Sequence, residues 1–154
     1  MLEIVPAHAP ELIPLIRALF QEYWDAFGFT PCFQNFGVEL GSLPGDYAPP
    51  EGRLMLARWD AHNAGCVAMR RLDPGRCEFK RLWVKPEFRG HRIGRALLEW
   101  VVTEARAAGY RELVADTMPV MTQALAMYDR YGFERTGPYS DHATPGAVYL
   151  LLRL

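Results

Sequence analysis

After a short apolar opening at Leu2 to Val5, apolar side chains recur at Leu12, Leu15, Ile16, Leu19, Phe20 and Tyr23, the spacing of an amphipathic helix. Pro10 near its start and Gly28 just past its end place this helix over Pro10 to Phe27. The stretch Thr30 to Gly52 breaks the pattern: it is irregular, rich in Gly and Pro, and carries Phe33, Phe36 and Tyr47. It reads as a long loop, and loops of that length in compact domains usually carry function. From Arg53 the period shortens to three β-favouring runs, RLMLARW, GCVAMRRL and CEFKRLWV, separated by the turn-like DAHNAG and DPGR. Asp73-Pro74-Gly75 is a strong turn signal, because Pro presets one backbone angle and Gly accepts a positive one. Three antiparallel strands fit these runs. Ile93, Leu97, Trp100, Val101 and Ala105 then share one face of a helix over Arg92 to Ala108, stopped by Gly109. A strand ELVAD, a helix over Val120 to Tyr131 ended by Gly132, and a strand AVYLLLRL complete the chain.

This order predicts a mixed α/β fold with a mostly antiparallel central sheet and one β-α-β crossover between Glu78 and Asp116. At 154 residues the chain has the length of one domain, and 1–154 is read as such. The formal net charge of −1 gives no general pull towards nucleic acid or membrane, and attention passes to local charge. Cys32, Cys66 and Cys77 are odd in number and lack paired C-x-x-C spacing, so they read as reduced thiols, the latter two as core residues. No run reaches the ~18 apolar residues of a membrane span, and the first residues lack the basic lead of a signal peptide. A cytoplasmic protein with no membrane partner is the expectation.

The chemistry is expected where the crossover strand meets its helix, LWVKPEFRGHRIGRALLEW. Gly90 and Gly94 allow close backbone approach, the helix N-terminus presents unpaired amides, and its dipole favours an anion. Lys85, Arg89, His91, Arg92 and Arg95 crowd the same turn. A diphosphate is the natural guest. There is no G-x-G-x-x-G or G-x-x-x-x-G-K-S/T pattern to direct the loop to a dinucleotide or nucleoside triphosphate.

This junction resembles the GNAT acyltransferase superfamily, whose signature is a strand ending in V-x-P, a loop of the form Gln/Arg-x-x-Gly-x-Gly/Ala, and a helix. Arg89 and Gly94 match the ends of that loop motif, while Arg92 stands where the middle Gly is usual. Downstream, ALAMYDRYGFERTG is similar to the family's A-x-x-x-Tyr-x-x-x-Gly-Phe closure. The two blocks run from Glu78 to Phe133; residues 1 to 60 resemble the family in architecture more than in motif.

The resemblance implies an N-acetyltransferase carrying acetyl from acetyl-coenzyme A to a primary amine of a small molecule, by direct attack in a ternary complex and without a metal. It implies that Arg89, Gly90, His91, Arg92, Ile93, Gly94 and Arg95 hold the diphosphate, and that the main chain of Leu82, Trp83 and Val84 pairs with the pantetheine arm. It further implies that the Tyr128 hydroxyl protonates the leaving thiolate. Glu78, on the strand leading to the cradle, is the first choice of base, on a face expected to include Lys80, Leu82 and Val84. Met121 stands where the family often has an Asn contacting the arm, with Thr122 or Asp116 as replacements. Phe33, Phe36, Tyr47 and the turn PYSDHATPG are candidates for the acceptor pocket, and Asp46, Glu39 or Asp141 for attracting a cationic amine. His62 and His142 fall in predicted turns and are weak candidates for a base; His91 is read as a phosphate-loop residue. A non-catalytic acyl-coenzyme A sensor is the alternative on the same fold, and a nucleic-acid module is disfavoured because the basic residues fill one phosphate-sized turn. Apolar strands at the C-terminus leave a homodimer open.

Overall fold

The computed structural model describes residues 1–28, 35–139 and 145–154. Along the chain run β1 (Leu2–Pro6), α1 (Ile13–Phe27), α2 (Phe36–Ser42), β2 (Arg53–Trp59), β3 (His62–Asp73) and β4 (Arg76–Val84). These are followed by α3 (Ile93–Ala107), β5 (Glu112–Thr117), α4 (Thr122–Tyr131), β6 (Glu134–Thr136) and β7 (Val148–Arg153). The strands form one sheet in the order β1-β2-β3-β4-β5-β7-β6. Every neighbouring pair is antiparallel except β4 and β5, which the crossover through α3 makes parallel as the sequence predicts. Among the described residues no helix is long and apolar enough to cross a membrane.

The alternation of side chains along the strands builds two cores. Met55, Val67, Met69, Cys77, Phe79 and Leu113 pack against Leu97, Leu98 and Val101 of α3 on one face. Leu54, Leu56, Cys66, Ala68 and Trp83 pack against Ile16, Phe20 and Trp24 of α1 on the other. Cys66 and Cys77 are free, buried thiols, small hydrophobes in use; Cys32 lies outside the described residues. Burial pushes the Cys77 thiol up to about 12, so it stays protonated at neutral pH.

Three sequence expectations need correction. Part of the predicted loop after α1 is helical: α2 occupies Phe36–Ser42 and a 3-10 turn occupies Gly45–Tyr47. Phe36 lies flat on Trp24, with ring centroids 4.0 Å apart, and Tyr47 meets Phe20 edge-on at 6.2 Å. Both are buried core residues, and neither lines the cavity described below. Next, the hairpin joining β2 and β3 turns tightly on Asp60 and Ala61, both at positive φ, so His62 begins a strand instead of lying in the turn. Finally, the last strand does not form the edge of the sheet: β7 runs between β5 and the three-residue β6, which is the edge strand.

The feature with most consequence is a bulge in β4. Cys66 pairs with Trp83 and Ala68 with Lys80, so Val67 alone faces both Arg81 and Leu82. Arg81 takes a left-handed backbone with φ of 62°, and the alternation inverts at that point. Cys77 and Phe79 before it, and Leu82 and Val84 after it, face α3; Arg81 and Trp83 turn to the α1 side. Glu78 therefore shares a face with Lys80, Arg81 and Trp83, not with Leu82 and Val84 as simple alternation predicts.

The bulge is held from α2. The Arg81 guanidinium donates two hydrogen bonds to the Glu39 carboxylate at 2.9 and 2.8 Å, with the Arg81 side chain only 3% exposed. It also lies 5.1 Å from the Trp24 ring centroid and 5.2 Å from that of Phe36. Burial alone would raise the Glu39 pKa, but the hydrogen bonds and charge of Arg81 outweigh it and hold the group below the usual carboxylate range. Glu39→Ala should remove both of these hydrogen bonds from a buried guanidinium and cost about 3 kcal/mol in a urea titration. A depressed folded-state pKa means that this stability is complete above the unfolded pKa of about 4.5. It is lost as pH falls through the lower folded value, so acid denaturation of Glu39→Gln should be less steep over that range.

Candidate functional site

Parallel pairing of β4 with β5 covers just Arg76↔Glu112, Cys77↔Leu113 and Glu78↔Val114. Beyond Glu78 the strands separate, because the bulge bends β4 away while β5 continues paired to β7. The opening is one end of a cavity of about 1350 Å³ lined by Phe79 to Val84 of β4, Arg89 to Ala96 at the start of α3, Asp116 and Thr117 of β5, and one side of α4. Tyr23 and Phe27 of α1 close the opposite wall.

The cradle predicted from sequence is one wall of this cavity. Residues 82–84 and 89–95 all line it. α3 has no side-chain cap at its N-terminus; Ala96 makes the first helical hydrogen bond, to the Arg92 carbonyl at 3.1 Å. The amides of Ile93, Gly94 and Arg95 are therefore left for a ligand. Gly90 has φ of 94°, which only glycine adopts without strain, and an added Cβ there meets nothing within 4 Å. Its need is conformational, not a matter of space. Gly65 differs: a Cβ there would lie 2.4 Å from the Trp83 carbonyl oxygen, so β3 can approach the cradle end of β4 only as glycine.

The basic residues of the turn are unequally engaged. Arg89 donates to the Val84 carbonyl at 3.1 Å and lies 5.0 Å over the Trp83 ring. Arg95 pairs with Glu99 at 3.0 Å and stands over Tyr131. His91 stacks on Trp59 with centroids 4.3 Å apart, which pins the loop to the end of β2. Lys85, which the sequence groups with the turn, is drawn to Glu22 of α1 at 3.3 Å and is not part of the lining. Arg130 of α4 joins the rim instead; its position on a separate helix hid it from a reading of the loop.

Tyr128 projects from α4 into the same cavity and packs against Phe79 and Phe133 at 5.5 and 5.8 Å. Burial, with a smaller contribution from Tyr23, raises its pKa above the ordinary phenol value, so the hydroxyl keeps its proton. Met121 precedes α4, its sulfur accepting a hydrogen bond from the Thr117 hydroxyl at 2.9 Å; Thr122 and Asp116 also line the cavity.

Glu78 is 3% exposed and does not contribute to the lining. It accepts hydrogen bonds from Arg70, its cross-strand partner, at 2.8 Å and from the Tyr139 hydroxyl. Of the acceptor-side candidates, Glu39 is committed to Arg81 and Asp46 is exposed. Phe33, Asp141 and His142 lie outside the described residues. The α1 aromatics Tyr23 and Phe27 also line the cavity; the sequence reading named neither for the site, and Trp83 for its main chain alone. Phenyl and indole rings at helical or strand spacing look alike in sequence whether they meet a core or a gap.

Residues 15–133 match the Acetyltransferase (GNAT) family. An uncharacterised N-acetyltransferase of Schizosaccharomyces pombe is 36% identical over 94% of this chain and 90% of its own length. A GNAT-family acetyltransferase of Staphylococcus aureus superposes with a TM-score of 0.84 at 16% identity, over 99% of each chain. A GNAT-family acetyltransferase of Elizabethkingia anophelis, solved with acetyl-CoA bound, gives 0.73 at 23% identity over 99% and 98%. The chain belongs to the GNAT family and is an acyltransferase.

Arg92, which replaces the usual middle glycine of the loop, adopts φ 61° and ψ 26°, the left-handed conformation that costs a non-glycine residue roughly 1–2 kcal/mol. The backbone thus keeps the form a glycine would give it. Arg92→Gly should leave stability unchanged or raise it by up to about 1 kcal/mol, and Arg92→Val should lower it by about 1 kcal/mol or more. Urea midpoints of the two variants check both.

Proposed function

We propose that the chain works as a single domain that transfers acetyl from acetyl-coenzyme A to the primary amine of a small molecule by direct attack. The observation that carries this reading is the gap between β4 and β5, which opens at one end onto the bare N-terminus of α3 and at the other onto Tyr128. A diphosphate on the amides of Ile93, Gly94 and Arg95 would leave an extended, amide-bearing arm to run along residues 82–84. Those β4 groups have lost β5 as a partner, and a ligand can take its place as an added strand. The acetyl-CoA-bound relative from Elizabethkingia supports the same donor.

In the reaction, main-chain N–H groups at the bulge polarise the thioester carbonyl, the amine attacks its carbon, and the C–S bond breaks with the electron pair passing to sulfur. Tyr128 donates its proton towards that sulfur. The apolar surroundings that raise the Tyr128 pKa would also raise that of a thiolate beside it, so donor and acceptor shift together. Glu78 takes part in deprotonating the amine through the Tyr139 hydroxyl or a water rather than by contact, since Arg70 and Tyr139 already occupy its oxygens.

Acetyl-coenzyme A and coenzyme A at a hundred times their dissociation constants should each add about 2.7 kcal/mol of stability, visible as a rise in Tm that NAD and ATP do not produce. Tyr128→Phe should lower kcat by about 100-fold with little change in acetyl-coenzyme A affinity by calorimetry. An unaltered kcat removes Tyr128 from the mechanism.

A further inference from the structure

Glu78 can act on an amine only at second hand, since Arg70 and Tyr139 occupy its oxygens and it does not line the cavity. Among the described residues two carboxylates do line it, Glu99 and Asp116. Glu99 sits on α3 and pairs with Arg95 at the cradle end. Asp116 belongs to the other end. The last β4–β5 pair is Glu78↔Val114, and Asp116 follows Val114 by two residues, roughly 7 Å along the strand, where the two strands have parted. It stands on the bank of the gap opposite Lys80, which would have been its partner had the pairing continued.

Alternation puts Asp116 on the α1 face of the sheet. Leu113 and Ala115 pack into the core under α3, so Val114 and Asp116 point the other way. The β7 partner of Asp116 is Tyr149, whose ring meets that of Tyr139 edge-on at 5.6 Å. The electrostatics agree with this placement. Burial raises the pKa of the Tyr139 phenol, Glu78 adds to the rise, and Asp116 adds further. Burial likewise raises that of Tyr23 against the opposing charge of Arg81, again with Asp116 adding. Tyr23 in turn adds to the effect of burial on Tyr128. Asp116 is therefore close to Tyr139, which bonds to Glu78, and to Tyr23, which lines the cavity together with Tyr128.

We propose that Asp116 holds the nitrogen of a cationic primary amine and takes a proton from it as the new bond forms. This rests on the reading of the chain as an amine acetyltransferase. The acceptor docks as an ammonium against the Asp116 carboxylate, a charge-assisted contact. An alcohol in its place gains less, and a carboxylate is repelled. One proton leaves towards solvent by way of the Tyr139–Glu78 pair, and the neutral nitrogen bonds to the thioester carbon. The π pair of the carbonyl moves to oxygen and returns as the C–S bond breaks, the electrons of that bond passing to sulfur. Attack makes the nitrogen cationic and acidic again, and Asp116 accepts this second proton and returns it to water. Tyr128 supplies the proton of the departing thiol and is reprotonated from solvent. The products are the N-acetyl amide, coenzyme A as the thiol, and one released proton.

The test titrates butylamine and 2-phenylethylamine, each beside the matching alcohol, into the coenzyme A-loaded protein by calorimetry, and measures thiol release from acetyl-coenzyme A with the same amines. The native protein should bind the amines at least about tenfold more tightly than the alcohols. Asp116→Asn should abolish that preference and lower kcat by about 100-fold with acetyl-coenzyme A affinity unchanged, while Asp116→Glu should keep part of both. Equal binding of amines and alcohols by the native protein, no binding of either, native turnover in Asp116→Asn, or an equal loss in Asp116→Asn and Asp116→Glu overturns the assignment. Preferred binding of the amines without acetyl transfer to them upholds the ammonium contact and rejects the transferase reading instead. The amine–alcohol comparison on the native protein decides even where a variant does not fold.

Discussion

The site depends on the buried ion pair between Arg81 and Glu39. A left-handed arginine in mid-strand is costly by itself, and so is a guanidinium out of water. Both costs are met by one arrangement: two hydrogen bonds from Glu39 and the faces of Trp24 and Phe36. With Arg81 so held, β4 must bulge, and a bulged β4 cannot stay paired with β5 beyond Glu78. The cavity and the unpaired backbone of residues 82–84 both follow. The ion pair also makes α2 part of the site without a catalytic group on it, since Glu39 acts by fixing the strand.

At the other end of the gap, the near-neutral total charge conceals a turn built for an anion. Arg89 and Arg95 are already engaged, by Val84 and Trp83 and by Glu99 and Tyr131. If a diphosphate binds there as proposed, its affinity would come first from the α3 amides and the helix dipole, with Arg92 and Arg130 adding charge at the rim. Such an arrangement keeps its geometry when the ligand is absent. Lys85, paired with Glu22, ties the strand end to α1 and so contributes rigidity where the loop's composition suggested phosphate contact.

The sequence made legible whatever rests on local chemistry. The crossover, the loop, α4 and the cavity-facing place of Tyr128 come from periodicity and from two motifs close together in the chain. It left hidden whatever rests on a change of register. Nothing in CEFKRLWV announces that Arg81 takes a positive φ, since that conformation is stabilised by a carboxylate forty-two residues away. A reader of the strand alone therefore continues the alternation and misplaces Glu78 relative to Leu82 and Val84. Arg70 is eight residues from Glu78, and their pairing becomes visible with the β3–β4 register. Phe36 and Tyr47 were misjudged for a different reason: a Gly- and Pro-rich segment looks loop-like even when its aromatics reach the core.

The inverted alternation also has a chemical consequence. The Arg81–Glu39 pair lies on the α1 face of β4 and Tyr128 packs against Phe79 on the α3 face, so the charged lining of the cavity and the phenol proposed to protonate the leaving thiolate stand on opposite sides of the sheet. An intact sheet would wall them apart. The gap beyond Glu78 removes that wall beside the bulge, where the proposed thioester would lie. On that proposal an amine would approach from the α1 face with the sulfur turned towards α4. Separating the two sides keeps the ion pairs of the α1 face away from the apolar surroundings of Tyr128. That hydroxyl can then remain protonated beside a cavity that also carries charged side chains.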